Sequence, residues 1–405
     1  MNVPRGVRYY SPGDISGYGQ AAIANVRALA NAGIRVYWTP LDWTTERMRA
    51  GSWSVLPDGR VRPLLSQGGT SGHLSDVRAL IGMTCAPIVY DTVIAHSPPE
   101  FWPYGFEHGK RNIGCTAWEA DRMPAHWLPL MRQADRIVVP STQNRDAFVR
   151  GGLDRPVAVV PHIRRHRWCE FGRDEIAAAR ADFGIPAHHR VFYTIATWTA
   201  RKALASLIEA FANAFSADEP VTLLIKTEAY GDGAAPLYPA TPVRELAART
   251  TQAISAALGR PVPHLLLLDD PLDGDDLDLI HAIGDVYVSL THGEGWGLGA
   301  FEAATLGKLV VMTAWGGHTD YLGSDWPGAV PYQMVAVPLM PPQFPSYFPS
   351  QRWAQADVGA AAALLRRTYA DPEPVRAYAR GIRERIIERY AEPVIAAQWL
   401  DLLDA

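Results

Sequence analysis

Cysteine is scarce: the 405 residues hold three, Cys85, Cys115 and Cys169, scattered and without a CxxC pair. So odd and unpatterned a set excludes a disulfide framework and a cysteine-based zinc site; it reads as buried reduced thiols of a cytosolic protein. Basic charge is not in excess either: 38 Lys plus Arg against 42 Asp plus Glu leave a formal net charge of −4. A general nucleic-acid coat needs the opposite sign, so nucleic acid is not an expected partner. No apolar run reaches the roughly 18 residues a spanning helix needs. Met1 to Gly6 open without the apolar stretch of a secretory signal. What is present is ordinary globular composition, 48% hydrophobic and 20% charged, which excludes disordered, collagen-like and coiled-coil chains. At roughly 150 residues per domain, the length suits two or three. Trp and Pro are plentiful, 13 and 32, and point to structured loops and stacking surfaces.

Along the chain, apolar strand patterns alternate with helical ones, twice over. In the first half, strands are predicted at Val7–Tyr10, Ile34–Thr39, Thr92–His96, Asn112–Thr116, Asp135–Pro140 and Val157–Pro161, with helices over Gln20–Ala32, Pro124–Gln133 and Thr142–Arg150. Residues 161–190, opening on the basic stretch Pro161 to Arg167, read as a connector; a phosphate or membrane-surface patch is the alternative. The pattern then restarts. Strands are predicted at 191–196, 221–226, 264–268, 286–290 and 309–312, and helices at 203–215, 243–258, 275–283 and 298–306. A Pro- and aromatic-rich insertion comes next at 338–353, then helices over 357–369 and 373–403, broken at Asp371-Pro372. Fully apolar strands alternating with helices imply parallel sheets covered on both faces. The expected architecture is α/β, two Rossmann-like doubly wound domains facing a central cleft, with ligands beyond the carboxyl ends of the strands. The expected boundaries are 1–165, 166–375 and a terminal helical segment 376–405.

The most informative stretch is His292-Gly293-Glu294-Gly295-Trp296-Gly297-Leu298-Gly299-Ala300-Phe301-Glu302. It comes after a strand and opens a helix. Glycines let backbone N–H groups approach a ligand, and a helix N-terminus suits an anion such as a diphosphate. Glu294 falls in the loop and Glu302 two turns on, where each carboxylate can accept a pair of hydroxyl hydrogens.

Glu294-x7-Glu302 within that turn resembles the signature of retaining glycosyltransferases of family 4, two-domain GT-B enzymes that use nucleotide-diphosphate sugars. The resemblance covers the second half of the chain well and the first half loosely. It implies that Glu294 contacts the donor sugar, Glu302 the ribose, and Gly295, Trp296, Gly297 and Leu298 the phosphates. Arg201 and Lys202, in Thr197-Trp198-Thr199-Ala200-Arg201-Lys202, are similar to the family's basic pair, which neutralises the leaving diphosphate. Arg offers a bidentate fork and Lys a point charge. Lys226 is a candidate third cation. The Gly17-Tyr18-Gly19 loop resembles the family's first glycine loop, Gly316-Gly317-His318-Thr319-Asp320-Tyr321 its late Gly-Gly turn, and the last helix the segment that packs back on the first domain.

There are departures. Ala196-Thr197 stands where Gly-Arg is common, and Ala203 where Gly often follows the Lys. Where many members carry a sugar-binding His, this chain has Trp118-Glu119. Glu119 or His96 is a candidate replacement, each against the alternative of a polar strand-end residue satisfied by backbone. Trp102, Tyr104, Trp118 and Trp127 could stack on an acceptor or fill the loop core; residues 40–75 and 97–127 are otherwise undecoded. Asp273-Gly274-Asp275 and Asp276-Leu277-Asp278 spell the Asp-x-Asp of a metal-dependent architecture, but they open a helix, where acidic residues favour the dipole. No metal or other cofactor is expected. Glu228 and Asp269-Asp270 come after strands on the nucleotide side; Asp270 could read a base edge or serve a turn. His166, His188 and His189 read as surface residues.

The resemblance implies transfer of a sugar from a GDP- or UDP-sugar to a hydroxyl of a saccharide or lipid-linked saccharide, in bacterial surface polysaccharide synthesis. The location implied is the cytoplasm or the inner face of the membrane, with peripheral membrane contact left open. Front-face attack helped by the departing phosphate is one route and a covalent adduct on Glu119 the other. The alternatives are a nucleotide-sugar epimerase-type enzyme, which needs no second substrate, and a catalytically silent nucleotide-sugar binding protein.

Overall fold

The computed structural model describes residues 6–13, 16–42, 49–50, 53–55, 61–63, 80, 82–83, 88–165, 167–231, 241–270, 272, 274–340 and 344–405. Cys85, His166, Asp273, Pro341 to Gln343 and most of 40–75 lie outside these. The chain divides into two compact units, 1–166 with 388–405, and 167–387.

In the first unit six parallel strands are laid side by side: β1 (Gly6–Pro12), β2 (Arg35–Asp42), β3 (Thr92–His96), β4 (Arg111–Cys115), β5 (Arg136–Val139) and β6 (Val157–Val159). Their order is β2-β1-β3-β4-β5-β6, with a two-residue antiparallel strand at 49–50 on the β2 edge. All five residues of β3 are buried, as a strand covered on both faces requires. The order reverses between β1 and β3, so the segments leaving the carboxyl ends of those two strands stand at the switch point of the sheet.

Helix α1 (Gly17–Asn31) comes after β1. Ser16 caps it, its hydroxyl accepting from Gly19 N at 3.1 Å. Gly17 and Gly19, expected in a loop, therefore sit in the first helical turn; Asp14 and Ile15 of that stretch lie outside the described residues. Helix α2 (Thr142–Arg150) has the predicted span. The helix predicted over 124–133 is instead a 3-10 turn, Ala125–Trp127, and a single α-turn, Leu128–Met131.

The second unit repeats the plan with β7 (Arg190–Ile195), β8 (Val221–Lys226), β9 (His264–Leu268), β10 (Val286–Ser289), β11 (Leu309–Thr313) and β12 (Ala329–Val330). All are parallel, in the order β9-β8-β7-β10-β11-β12. This is the 3-2-1-4-5-6 order of a dinucleotide-binding sheet, and its switch point lies between β7 and β10. Its helices are α3 (Arg173–Asp182), α4 (Leu204–Ala214), α5 (Val243–Leu258), α6 (Gly274–Ile283), α7 (Leu298–Thr305), α8 (Val358–Ala370) and α9 (Glu373–Arg389). Helix α3 lies inside the expected connector. Its start is fixed by Glu175, whose carboxylate accepts from Gly172 N at 2.7 Å, and its body is alanine-rich. The insertion at 338–353 is closed at its base by an antiparallel pair, Tyr332–Ala336 with Arg352–Ala356.

The run predicted over 373–403 breaks at Tyr390-Ala391 and resumes as α10 (Glu392–Asp404). Pro393 occupies the first turn of α10, where its missing N–H costs nothing. Helix α10 belongs to the first unit, where Ile395, Ala396, Trp399, Leu402 and Leu403 form its buried stripe. Both of its ends are pinned. Glu392 accepts from Arg27 Nε at 2.7 Å and Asn31 Nδ2 at 2.6 Å, while Arg111 donates to the carbonyls of Leu402 and Leu403 at 2.9 and 2.8 Å.

Among the described residues no helix is long and apolar enough to cross a membrane. Cys115 is buried, and burial pushes its thiol up; Cys169 is exposed, against expectation, because it lies in the stretch leading into α3 rather than in a core element.

Candidate active site

The switch point of the second sheet brings together Arg201, Lys202 and the loop from Glu294 to Glu302. After β7 the chain makes a 3-10 turn, Ala200–Lys202, then enters α4 through Ala203 at φ +49°. Ala203 is the only non-glycine with positive φ among the described residues. That left-handed step is the one a glycine makes without strain.

After β10 comes the glycine-rich loop, and the two loops are cross-bonded. Arg201 O accepts from His292 N at 2.8 Å and Thr291 Oγ1 at 3.2 Å. Arg201 Nη1 donates to Gly293 O at 2.7 Å and to Glu294 Oε2 at 3.2 Å; Lys202 Nζ donates to Glu294 Oε1 at 2.5 Å. Glu294 is 7% exposed. Burial would raise its pKa, but Lys202 and Arg201 outweigh that and hold it at about 2, so it is ionised at neutral pH.

The loop rests on a scaffold. Gly317 N donates to Glu294 O at 2.7 Å and Tyr321 OH to Gly297 O at 3.0 Å. Trp296 is buried against Phe301 and Tyr321, with ring centroids 5.1 Å away in each case, so its side chain braces the loop. Gly297 caps α7 at φ +84°, a conformation L side chains rarely adopt. The first intrahelical bond, Phe301 N to Gly297 O at 2.9 Å, leaves the amides of Leu298, Gly299 and Ala300 ahead of the ladder, at the positive end of the dipole.

Glu302 lies on α7, and His281 Nε2 on α6 approaches its Oε2 at 3.5 Å. His281 Nδ1 meets Tyr193 OH at 2.9 Å. Tyr287 on β10 links the two carboxylates: burial first, then the charges of Glu294 and Glu302, push its phenol well up. Sequence reasoning missed His281, Tyr193 and Tyr287; a histidine on the apolar face of α6 was the available signal. His292 was also passed over. Its ring stacks on Trp353 at 4.6 Å and its Nδ1 meets Ala354 O at 2.7 Å.

Lys226 is not in this set. Its Nζ donates to Thr227 O, burial lowers its pKa, and Glu228, Asp269 and Asp270 act to raise it. Asp269 is taken up by Arg244, which donates Nε to Oδ2 at 2.8 Å. Asp275, Asp276 and Asp278 open α6, and Asp278 Oδ2 accepts from Cys169 N at 2.9 Å. Among the described residues no group of three or more His, Cys, Asp or Glu is placed to hold a metal ion. His188 is exposed, and His189 bonds Thr222 Oγ1 at 3.0 Å.

The first unit carries the other candidates, near its own switch point. His96 ends β3, with Nδ1 2.8 Å from Tyr9 OH. Tyr18 lies edge-on to His96 and bonds Thr116 Oγ1 at 2.9 Å; burial first, then Glu119, raises its phenol. Glu119 is half-buried. Trp118 fills core: it is 4% exposed, its indole N–H donates to Arg122 O, and its ring meets Trp127 edge-on. Trp102 and Trp127 are buried too, while Tyr104 is exposed.

No family profile and no curated protein sequence matches the chain. Solved structures do match along its whole length. Sucrose-phosphate synthase from Thermosynechococcus elongatus superposes at TM-score 0.68 with 17% identity, covering 99% of this chain and 98% of that one. HepE from Anabaena, in complex with UDP and glucose, gives 0.66 with 12% identity and 99% coverage of both. A glycosyltransferase from Rickettsia africae gives 0.63 with 13% identity, over 99% and 98%. The fold is GT-B.

Proposed function

We propose that this chain is a retaining, metal-independent glycosyltransferase akin to family 4, moving a sugar from a nucleotide-diphosphate sugar to a hydroxyl of a saccharide or lipid-linked saccharide. The observation that carries this is the convergence of Arg201 and Lys202 on Glu294 beside the N-terminus of α7, where the strand order reverses. Two side-chain cations and a turn of free amides suit a diphosphate. HepE's bound UDP and glucose make a UDP-sugar the first donor to try, ahead of a GDP-sugar. In this reading Glu294 and Glu302 take hydroxyls of the sugar and ribose, and Lys226 serves the nucleotide region. Of the first unit's residues, this reading gives Gly17 and Gly19 to donor binding, Glu119 to catalysis and His96 to contact with the acceptor or sugar. A role in bacterial surface polysaccharide synthesis belongs to the same proposal.

The difficult charge is the one that grows on the leaving diphosphate. Arg201, Lys202 and the amides are in place before it develops, which is how preorganised donors lower a barrier. Each Glu294 oxygen already accepts from Arg201 or Lys202, which makes it a poor nucleophile and leaves one lone pair on each for a sugar hydroxyl, in keeping with front-face attack. Glu119 as nucleophile predicts a trappable glycosyl adduct.

The test is a panel of nucleotide sugars read by thermal shift. A donor at a hundred times its dissociation constant adds about 2.7 kcal/mol of stability. Anomer-resolved NMR of the product with simple glycoside acceptors then reads the stereochemistry. No stabilisation by any nucleotide sugar refutes the proposal, and an inverted product refutes the retaining part.

A further inference from the structure

A chain of buried hydrogen bonds joins the last helix of the protein to His96. Trp399 Nε1 on α10 donates to Asn25 Oδ1 on α1 at 3.3 Å. Asn25 Nδ2 donates to Tyr9 OH on β1 at 3.3 Å. Tyr9 OH meets His96 Nδ1, at the end of β3, at 2.8 Å. Trp399 and Tyr9 are fully buried, and Asn25 and His96 nearly so.

Direction in this chain is set from one end. An indole N–H can only donate, so Asn25 must turn its carbonyl oxygen to Trp399 and its amide nitrogen to Tyr9. The Tyr9 oxygen then receives a hydrogen from Asn25 and has its own to give. His96 Nδ1 is the acceptor facing it. Were Nδ1 protonated, the phenol oxygen would face two donors and its own hydrogen would be left without an acceptor, a costly arrangement in a buried site. The donors of Trp399, Asn25 and Tyr9 all find acceptors only if Nδ1 is bare, which puts the ring proton of a neutral His96 on Nε2.

We propose that α10, through Trp399, Asn25 and Tyr9, fixes His96 as the neutral Nε2–H tautomer, so that the switch point of the first sheet offers a substrate oxygen a hydrogen-bond donor and not a base. His96 is then a binding residue, and Tyr9, Asn25 and Trp399 are positioning residues. Among the described residues nothing else holds Nε2 by a hydrogen bond. The groups that face the ring agree with a neutral state. Burial, and then His162, push His96 down to about 3; His162 is itself lowered to about 4 by burial. Tyr9 and Tyr18 are raised well above the usual phenol range, mainly by burial, and Cys115, opposite His96 on β4, is raised the same way. None of these carries a charge near neutral pH. The lock is complete only when residues 388–405, which return to the first unit after the chain has built the second, are docked.

The role assigned to the substrate oxygen rests on the glycosyltransferase proposal; the tautomer does not. The test uses the full chain labelled with 15N-histidine. The expected spectrum for His96 shows a protonated Nε2 and a bare Nδ1, unchanged from about pH 6 to about pH 8. A protonated Nδ1, or a ring that titrates in that range, overturns the inference. Tyr9→Phe keeps the packing and removes the phenol, and should release a second tautomer; an unchanged spectrum overturns the relay. Trp399→Phe should do the same if it folds. With an active donor in hand, His96→Phe should raise KM about tenfold with little change in kcat, the weight of one net hydrogen bond, and His96→Gln should recover part of it. If no nucleotide sugar is turned over, the functional proposal fails while the tautomer result stands. If turnover is found and Nδ1 is protonated, only the relay fails.

Discussion

Glu294→Gln separates charge from shape at the centre of the second unit. The carboxylate has Lys202 Nζ at 2.5 Å and Arg201 Nη1 at 3.2 Å, with its side chain 9% exposed. Its pKa falls from an ordinary 4.5 to about 2 despite a burial cost in the other direction. That lowering corresponds to about 3 kcal/mol of stability at neutral pH. Deleting one member of a buried ion pair costs about 3–5 kcal/mol by a separate line of experience, because the surviving charges are left uncompensated. The two figures meet near 3. The lowered pKa sets the sign: the contribution is full above pH 4.5 and is lost as pH falls toward 2. At about pH 3 only about 1 kcal/mol of it remains. The assay is urea unfolding at both pH values, then hydrogen exchange in peptides spanning 286–305. The variant should be weaker than the parent by about 3 kcal/mol at pH 7, and the gap should shrink to about 1 kcal/mol at pH 3. A gap that does not change with pH would mean that Glu294 acts through shape and not charge. The same substitution removes the negative charge that Arg201 and Lys202 share, so UDP should bind the variant at least as tightly as the parent while turnover collapses.

Arg201→Ala should lower kcat with a saturating donor by about a hundredfold or more, since a preplaced partner of the leaving diphosphate is worth about 3 kcal/mol; a change confined to KM would refute its role in the transition state. Ala203→Gly should stabilise the second unit by about 0.5–1 kcal/mol in urea unfolding, because the left-handed step at φ +49° penalises a Cβ. Gly299→Ala would put a Cβ 2.7 Å from the Tyr287 hydroxyl, and should cost about 1–3 kcal/mol of stability and weaken nucleotide binding.

Much of the fold could be read from hydrophobic period alone, because buried parallel strands carry unbroken apolar runs. Thr92–His96, Val221–Lys226 and His264–Leu268 have the ends the pattern predicted. What escaped was local and polar. Helix α3 is announced only by Gly172 and Glu175 in a stretch whose arginines suggested a connector, and the break before α10 only by Pro393. The candidate site could be proposed from sequence where one loop carries its polar groups, as Glu294 to Glu302 does. Arg201 and Lys202 could be named only through the family resemblance of Thr197 to Lys202. Lys226 could be named too, but nothing in a sequence says that Glu228 and Asp269 would surround it.

The residues that no motif reveals are those whose role depends on a neighbour far along the chain. Tyr287 matters because α7 carries Glu302 back past β10, and His281 because α6 lays it against the same carboxylate. Tyr9, Asn25 and Trp399 look like core in any sequence, and by burial they are core. Only the order of donors and acceptors along them, fixed by an indole that cannot accept, turns three packing residues into a device that sets the proton on a fourth. Buried polar groups must be paired, so every such chain has a direction. Where one end is a group with a single hydrogen-bonding sense, that direction determines the chemistry offered at the other.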